Sequence, residues 1–453
     1  MSTMMSLPDE TITKILEDDG IGIKDIVSFS TTCKRFRQTV QNKRLWETKF
    51  YQRCPSARKK YSLQERKKLS YHIDFQEEIE AGIQFVKNLQ FYVFLLSKYN
   101  SISYSDKENL HCLLQRIAKN SITYFFVSDE LNRIISAELP WQPGTNLTNM
   151  YYIDRIFYSL KQYRFVYKQN KFLSVPKNEL LLEQRLTIAA QYFYPHVSYS
   201  VIKAWLDEIE REALSRLEKK TPSQLTISEP FISCTERIYQ ASDQRTVQIV
   251  NILEEIIISE LGIKKLHKLF ITLNLEDIYI INFETKNILK KIKQKRRNEN
   301  IKFAVGMIVA HSVRLSTSTE IRAGVIIGWY LGCNSLAIES LCIPHIYYNI
   351  DCCRCEKAIE YACHPHYVIL SEANTLHYVP QDNISTCPPQ WINNVEIGRY
   401  FCKFEGTHYA PNEVLAERYP DDTAVILKIF SNTVRDSNGC RQNPNSNKNK
   451  NEY

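Results

Sequence analysis

The chain has no apolar run close to the ~18 residues that a membrane-crossing helix needs. Phe91 to Leu96 is the kind of run found in a buried helix. A secretory leader pattern is also missing: Met1 to Ser6 is polar and uncharged, with no apolar core behind it. A cytosolic or nuclear location without membrane attachment is therefore expected. Thirteen cysteines, an odd number without a leader, predict reduced thiols and not a disulfide framework. No cysteine lies between Cys234 and Cys333, and no Lys/Arg stripe appears between residues 301 and 410. The excess of base over acid is small, +8 over 453 residues, which permits an acidic partner without demanding nucleic acid. A content of 44% hydrophobic and 24% charged residues is that of an ordinary globular protein. The length allows two or three domains.

The first fifty residues organise the rest. Leu7-Pro8-Asp9-Glu10 opens a helix, since Pro8 suits its start and Asp9 and Glu10 favour its positive end. Ile12, Ile15 and Leu16 share a face. Gly20 and Gly22 break the run before Ile23, Ile26, Val27 and Phe29, then Cys33, Phe36 and Val40, and Leu45-Trp46 closes it. So few residues cannot bury a good core alone. One reading is a helical cap on a larger domain. The order Leu-Pro-x-Glu, an Ile/Leu ladder, Cys33-Lys34-Arg35-Phe36 and Leu45-Trp46 resembles an F-box. That resemblance implies docking on a Skp-type adaptor, and through it on a cullin–RING ubiquitin ligase. It places Leu7, Pro8, Ile12, Ile15 and Leu16 against the adaptor, with Cys33, Phe36 and Trp46 joining or supporting the interface.

Residues 53–72 are basic and polar, a linker or solvated helix face. Ile79, Ile83, Val86, Leu89, Val93 and Leu96 then recur at helical spacing, and Leu110, Leu113, Leu114 and Ile117 begin another helix. Pro140 and Pro143-Gly144 punctuate the chain. Further stripes (Leu182 to Phe193, Ile202 to Leu217, Val250 to Leu261) read as core-facing helices. Leu147 to Tyr152 and Glu183 to Ala189 resemble the central region of the F-box only protein 21 family. There the helices lead into a transglutaminase-like domain, a fold whose enzymes use a Cys nucleophile activated by His. Here Lys264 to Asn287 passes straight into a basic run, and no Cys/His/Asp set is assignable. That core is expected to be truncated and no catalytic residue is expected. The run Lys290 to Arg297 reads as a solvated helix end or linker, or as a nuclear-import or phosphate-contacting patch.

After Ile301 the period changes to short β-branched segments: Phe303 to His311, Arg322 to Trp329, Tyr367 to Leu370 and Tyr378-Val379-Pro380. With Pro365-His366-Tyr367, Gln381-Asp382-Asn383-Ile384 and Ile397 to Phe401, they resemble in order the hemimethylated-DNA-binding (YccV-like) domain, a small SH3-like barrel. Arg322, Trp329, Tyr378, Gln381 and Asn383 are candidate substrate-binding residues, or else shape turns and core. Cys352-x-x-Cys355 with Cys363 and His366 offers four zinc-type ligands. The spacing is not a clean pair of CxxC knuckles, and Cys363 to Tyr367 falls where the family has the start of an ordinary strand. No metal and no cofactor are assigned.

The expected architecture is α+β: F-box helices (1–52), a helical linker region (53–140), a helical remnant of the transglutaminase-like region (141–289), a basic linker (290–300), the YccV-like barrel (301–415), a terminal docking segment (416–430) and a disordered tail (431–453). The resemblance implies a non-catalytic substrate-recognition subunit of a Skp–cullin–F-box ubiquitin ligase, its protein substrate unknown. The alternative is a DNA- or chromatin-binding protein acting through the barrel.

Overall fold

The computed structural model describes residues 6–137, 139–173, 199–220, 294–314, 319–332, 347–349, 364–372 and 374–429, with isolated positions 187, 191 and 197. The Leu182–Phe193 stripe, apart from residues 187 and 191, lies outside them. So do the Val250–Leu261 stripe, residues 333–346 and 350–363 with all their cysteines, the basic run up to residue 293 and the tail from 430.

The opening residues form four short helices: α1 (Asp9–Leu16), α2 (Ile23–Ser30), α3 (Lys34–Val40) and α4 (Lys43–Arg53). Each start satisfies backbone donors that would otherwise be orphaned. Thr11 N and Ile12 N donate to Pro8 O. Gly22 N donates to Asp25 Oδ2 at 2.9 Å, Phe36 N to Cys33 Sγ at 3.5 Å, and Arg44 N to Asn42 Oδ1 at 2.9 Å. Helices α5 (Pro55–Lys60), α6 (Leu63–His72), α7 (Phe75–Tyr99), α8 (Tyr104–Lys119), α9 (Ser121–Ala137), α10 (Leu147–Leu173) and α11 (Tyr199–Lys220) follow. Ser62 and Glu65 cap α6 reciprocally.

The chain divides into two compact units. The first takes residues up to Val86, Asn109–Glu130 and the chain from Arg155. Its core joins Ile12, Leu16, Ile26, Phe36, Leu45, Trp46 and Phe50 to Phe75, Ile79, Ile122 and Phe126. The opening helices are thus too few to close a core, and α7 and α9 complete it. Arg53 locks this join with two bonds to Glu130, at 2.5 and 2.8 Å.

The second unit takes Lys87–Glu108, Leu131–Asp154 and the chain from Phe283. Its six-stranded sheet runs in the order β3-β5-β4-β2-β1-β6. The strands are β1 (Ile308–Arg314), β2 (Thr319–Tyr330), β3 (Tyr347–Asn349), β4 (His366–Ser371), β5 (Thr375–Pro380) and β6 (Ile384–Thr386). Among the described residues, only β3 and β5 pair in parallel; the other ladders of this sheet are antiparallel. His311 on β1 and His377 on β5 stand three rungs apart, about 14 Å along a flat sheet. Their rings nevertheless lie 4.8 Å apart. The sheet coils until its inner side chains meet, the curvature that a small barrel needs. Gly306 permits the tight approach at its start: φ is +96°, and a Cβ there would overlap Tyr409 O.

A short helix α12 (Ile397–Tyr400), the hairpin β7 (Phe401–Phe404) and β8 (Tyr409–Pro411), helix α13 (Glu413–Arg418) and a helical segment at 422–429 complete the unit. The start of α10 packs on them. Leu147 enters the sheet core, Thr148 Oγ1 donates to Phe401 O at 2.9 Å, and Tyr151 OH to Glu396 Oε2 at 2.9 Å. Gly398 makes room, because a Cβ there would strike Leu147 O. The α+β architecture is as expected. The sheet's unit also draws helical residues 87–108 and 131–154, which precede it by more than a hundred positions.

Candidate docking face and sheet-domain site

In the first unit, the eight residues expected at an adaptor interface separate into two groups. Ile12, Leu16, Phe36 and Trp46 are buried in the unit's own core, where Trp46 Nε1 donates to Val40 O at 2.7 Å. Ile12 and Leu16, spaced i, i+4, turn inward with Ile26 and Leu45. Phe36 and Trp46 belong to the same buried cluster. Pro8 and Ile15 are exposed, and Leu7 and Cys33 are half-buried. Arg35 pins the opening turn to α3, its Nη2 donating to Leu7 O at 2.5 Å and its Nε to Asp9 Oδ1 at 2.9 Å. Val27 (44% exposed) and half-buried Phe29, stacked on Phe36 at 4.0 Å, belong to the accessible set but were not among the expected eight. For Val27 the signal is an apolar residue directly after core-facing Ile26, turned away from the buried stripe.

In the sheet domain, three of the five candidate binding residues are structural. Trp329 is 2% exposed and donates Nε1–H to Asp422 Oδ2 at 2.9 Å. Tyr378 is buried, stacked on His366 with rings 5.0 Å apart. Gln381 Oε1 accepts from Tyr367 OH at 2.8 Å and from Lys302 N at 2.9 Å. Each spends its polar tip inside the fold. Asn383 is exposed, and half-buried Arg322 pairs with Glu320 at 2.8 Å.

Comparison with known proteins adds the family context. The F-box domain description matches residues 19–48. The description "Hemimethylated DNA-binding protein YccV like" matches residues 301–408. The chain carries an F-box and a YccV-like domain. It is 27% identical to F-box only protein 21 of Mus musculus, and 28% identical to the proteins of that name from Pongo abelii and Homo sapiens, over 153 residues in each case. That stretch is 31% of this chain and 20% of each relative, so the match spans about a fifth of the relatives' length. No solved structure matches.

Beside the YccV-like domain, the end of the basic run is used structurally. Arg297 Nη1 reaches buried Asp422 Oδ1 at 3.2 Å, and Arg296 pairs with Asp421 at 2.9 Å. Lys295 Nζ donates to Trp329 O at 2.8 Å and sits 3.4 Å from the Tyr330 ring centre. Burial, and then Arg418, push this amine down to about 7. These three residues link the sheet to the last described helices, with Arg296 itself left exposed. Within the domain, Arg322, Arg399 and Lys403 each face a carboxylate close in sequence: Glu320, Glu396 and Glu405. Among the described residues, no group of three or more His, Cys, Asp or Glu is placed to hold a metal ion. His366, the fourth ligand of the zinc set considered above, is buried with Nδ1 2.8 Å from His364 O; its cysteine companions lie outside the described residues.

Proposed function

We propose that this chain is the substrate-recognition subunit of a Skp–cullin–F-box ubiquitin ligase, promoting ubiquitination and proteasomal degradation of a protein target. The F-box match at residues 19–48 carries the reading. The likeness to F-box only protein 21 and the exposed Pro8, Ile15 and Val27 support it. The mechanism is positional. The F-box docks on the adaptor, and the second unit holds a target near the ubiquitin-loaded enzyme, raising effective concentration. The chain makes and breaks no bonds itself, and acts in the cytosol or nucleus.

Co-purification with a Skp-type adaptor tests this, comparing wild type with Leu7→Asp, Ile15→Asp. Both side chains lie outside the fully buried core, so the fold survives while two charges enter an apolar interface, costing several kcal/mol. A stoichiometric complex lost in the variant supports the ligase reading. A wild-type chain that ignores the adaptor rejects it.

The YccV-like match favours one second reading, DNA binding through the sheet domain. Its signature is retention on hemimethylated duplex that falls steeply with salt as counterions are released.

A further inference from the structure

The C-terminal half of α7, residues 87–99, is apolar on two opposite sides. Leu89, Val93 and Leu96 are buried. On the other side Phe91 and Phe94 are 54% and 57% exposed. At 100° per residue, Lys87, Phe91, Phe94 and Lys98 fall within one narrow arc. This outward-facing phenylalanine pair exposes on the order of 200 Å² of apolar surface together within one helical turn. Its charge is one-sided: no Asp or Glu occurs from residue 81 to residue 105. Lys98 extends over the rings of Phe94 and Tyr99, 5.9 and 5.5 Å from their centres. The nearest following acid, Asp106, is held by Ser103, whose Oγ donates to it at 2.5 Å.

We infer that this stripe is a docking surface for an acidic amphipathic helix of a partner protein. The phenylalanines supply apolar anchoring, and the lysines at either end supply the charge that selects the partner. Lys87 and Lys98 stand about 16 Å apart along the axis. A partner helix of roughly three turns, with Leu-type residues at i, i+3/i+4 and i+7 and Glu at both ends, meets both the apolar centre and the two cations. This surface belongs to the chain alone and does not depend on the ligase reading.

The test uses the full chain without adaptor and a fluorescein-labelled 16-residue peptide of that pattern, read by polarisation. Two control peptides replace Glu by Lys, or Leu by Ser. The wild-type chain is expected to bind the acidic peptide at least tenfold more tightly than either control. Phe91→Ser, Phe94→Ser should abolish the preference, with the helical circular dichroism unchanged. Lys87→Glu, Lys98→Glu should transfer it to the Lys peptide, an exchange that misfolding cannot imitate. The inference is overturned if the charge-reversed chain keeps its preference, or if both peptides bind wild type alike. It is also overturned if the Phe pair instead mediates a concentration-dependent dimer of this chain, or if deleting residues 221–293 is needed before any peptide binds.

Discussion

Two adjacent aspartates offer a sharp test of what holds the second unit together. Asp422 is 1% exposed and accepts from Val305 N at 2.7 Å, Trp329 Nε1 at 2.9 Å and Arg297 Nη1 at 3.2 Å. Asp421, its neighbour, meets Arg296, whose side chain is 68% exposed, and accepts from Arg297 N at 3.1 Å. Asp422→Asn keeps the size but removes the charge, and its amide must turn a donor toward at least one of those N–H groups. Breaking a buried, hydrogen-bonded pair costs about 3–5 kcal/mol. Arg297 keeps the carbonyls of Phe303 and Ile301, so the lower end, about 3 kcal/mol, applies. Hydrogen exchange on the full chain reads this locally: amides of residues 303–314 and 319–330 should lose protection by about a hundredfold. Asp421→Asn should leave protection nearly unchanged, because its amide oxygen still accepts from Arg297 N and exposed pairs contribute little. If both variants exchange alike, or if Asp422→Asn does nothing, burial does not set the worth of this pair and the reasoning fails.

Gly398→Val should cost the second unit about 2–3 kcal/mol, because the new side chain meets Leu147 O and Tyr151 Cβ; a lowered melting temperature would check it. Histidine titration gives the pH dependence. Burial, then His377 and Arg322, hold His311 down to about 3, and burial, then Arg322, hold His377 down to about 4. Both fall below the ordinary 6.5, so the unfolded chain binds more protons, and stability present above pH 6.5 is lost as pH falls toward 4. Each histidine contributes a slope of up to about 1.4 kcal/mol per pH unit in that window. Urea midpoints between pH 7.5 and 4.5 should fall accordingly, and the fall should shrink in His311→Asn, His377→Asn.

Element type was legible wherever periodicity was long. The stripe from Ile79 to Leu96 predicts α7, and Leu110 to Ile117 predicts α8, because a helix that buries one face must repeat every three or four residues. The β-branched segments after Ile301 likewise predict β1, β2, β4 and β5. Partnership was less legible. Nothing local in Phe75 or Phe126 says that they finish the core begun by Ile12 and Trp46. Nor does Leu147 announce that it enters a sheet which begins some 160 residues later.

The site residues show the same limit more sharply. Trp329, Tyr378 and Gln381 carry polar tips that would suit a binding site, but a polar tip is needed just as much by a buried side chain that must satisfy its own donors and acceptors. The residues left facing solvent, Val27 on α2 and Phe91 and Phe94 on α7, are apolar and look in sequence like more core. Charge inverts in the same way. Lys295-Arg296-Arg297 reads as a solvated cluster until Asp421 and Asp422, 125 residues further on, accept it. An ionic side chain takes its role from a partner that the fold brings to it. For this chain, surface function is therefore to be sought in exposed apolar side chains lying off the core-facing stripe, and the conspicuous polar and basic residues belong mostly to the fold.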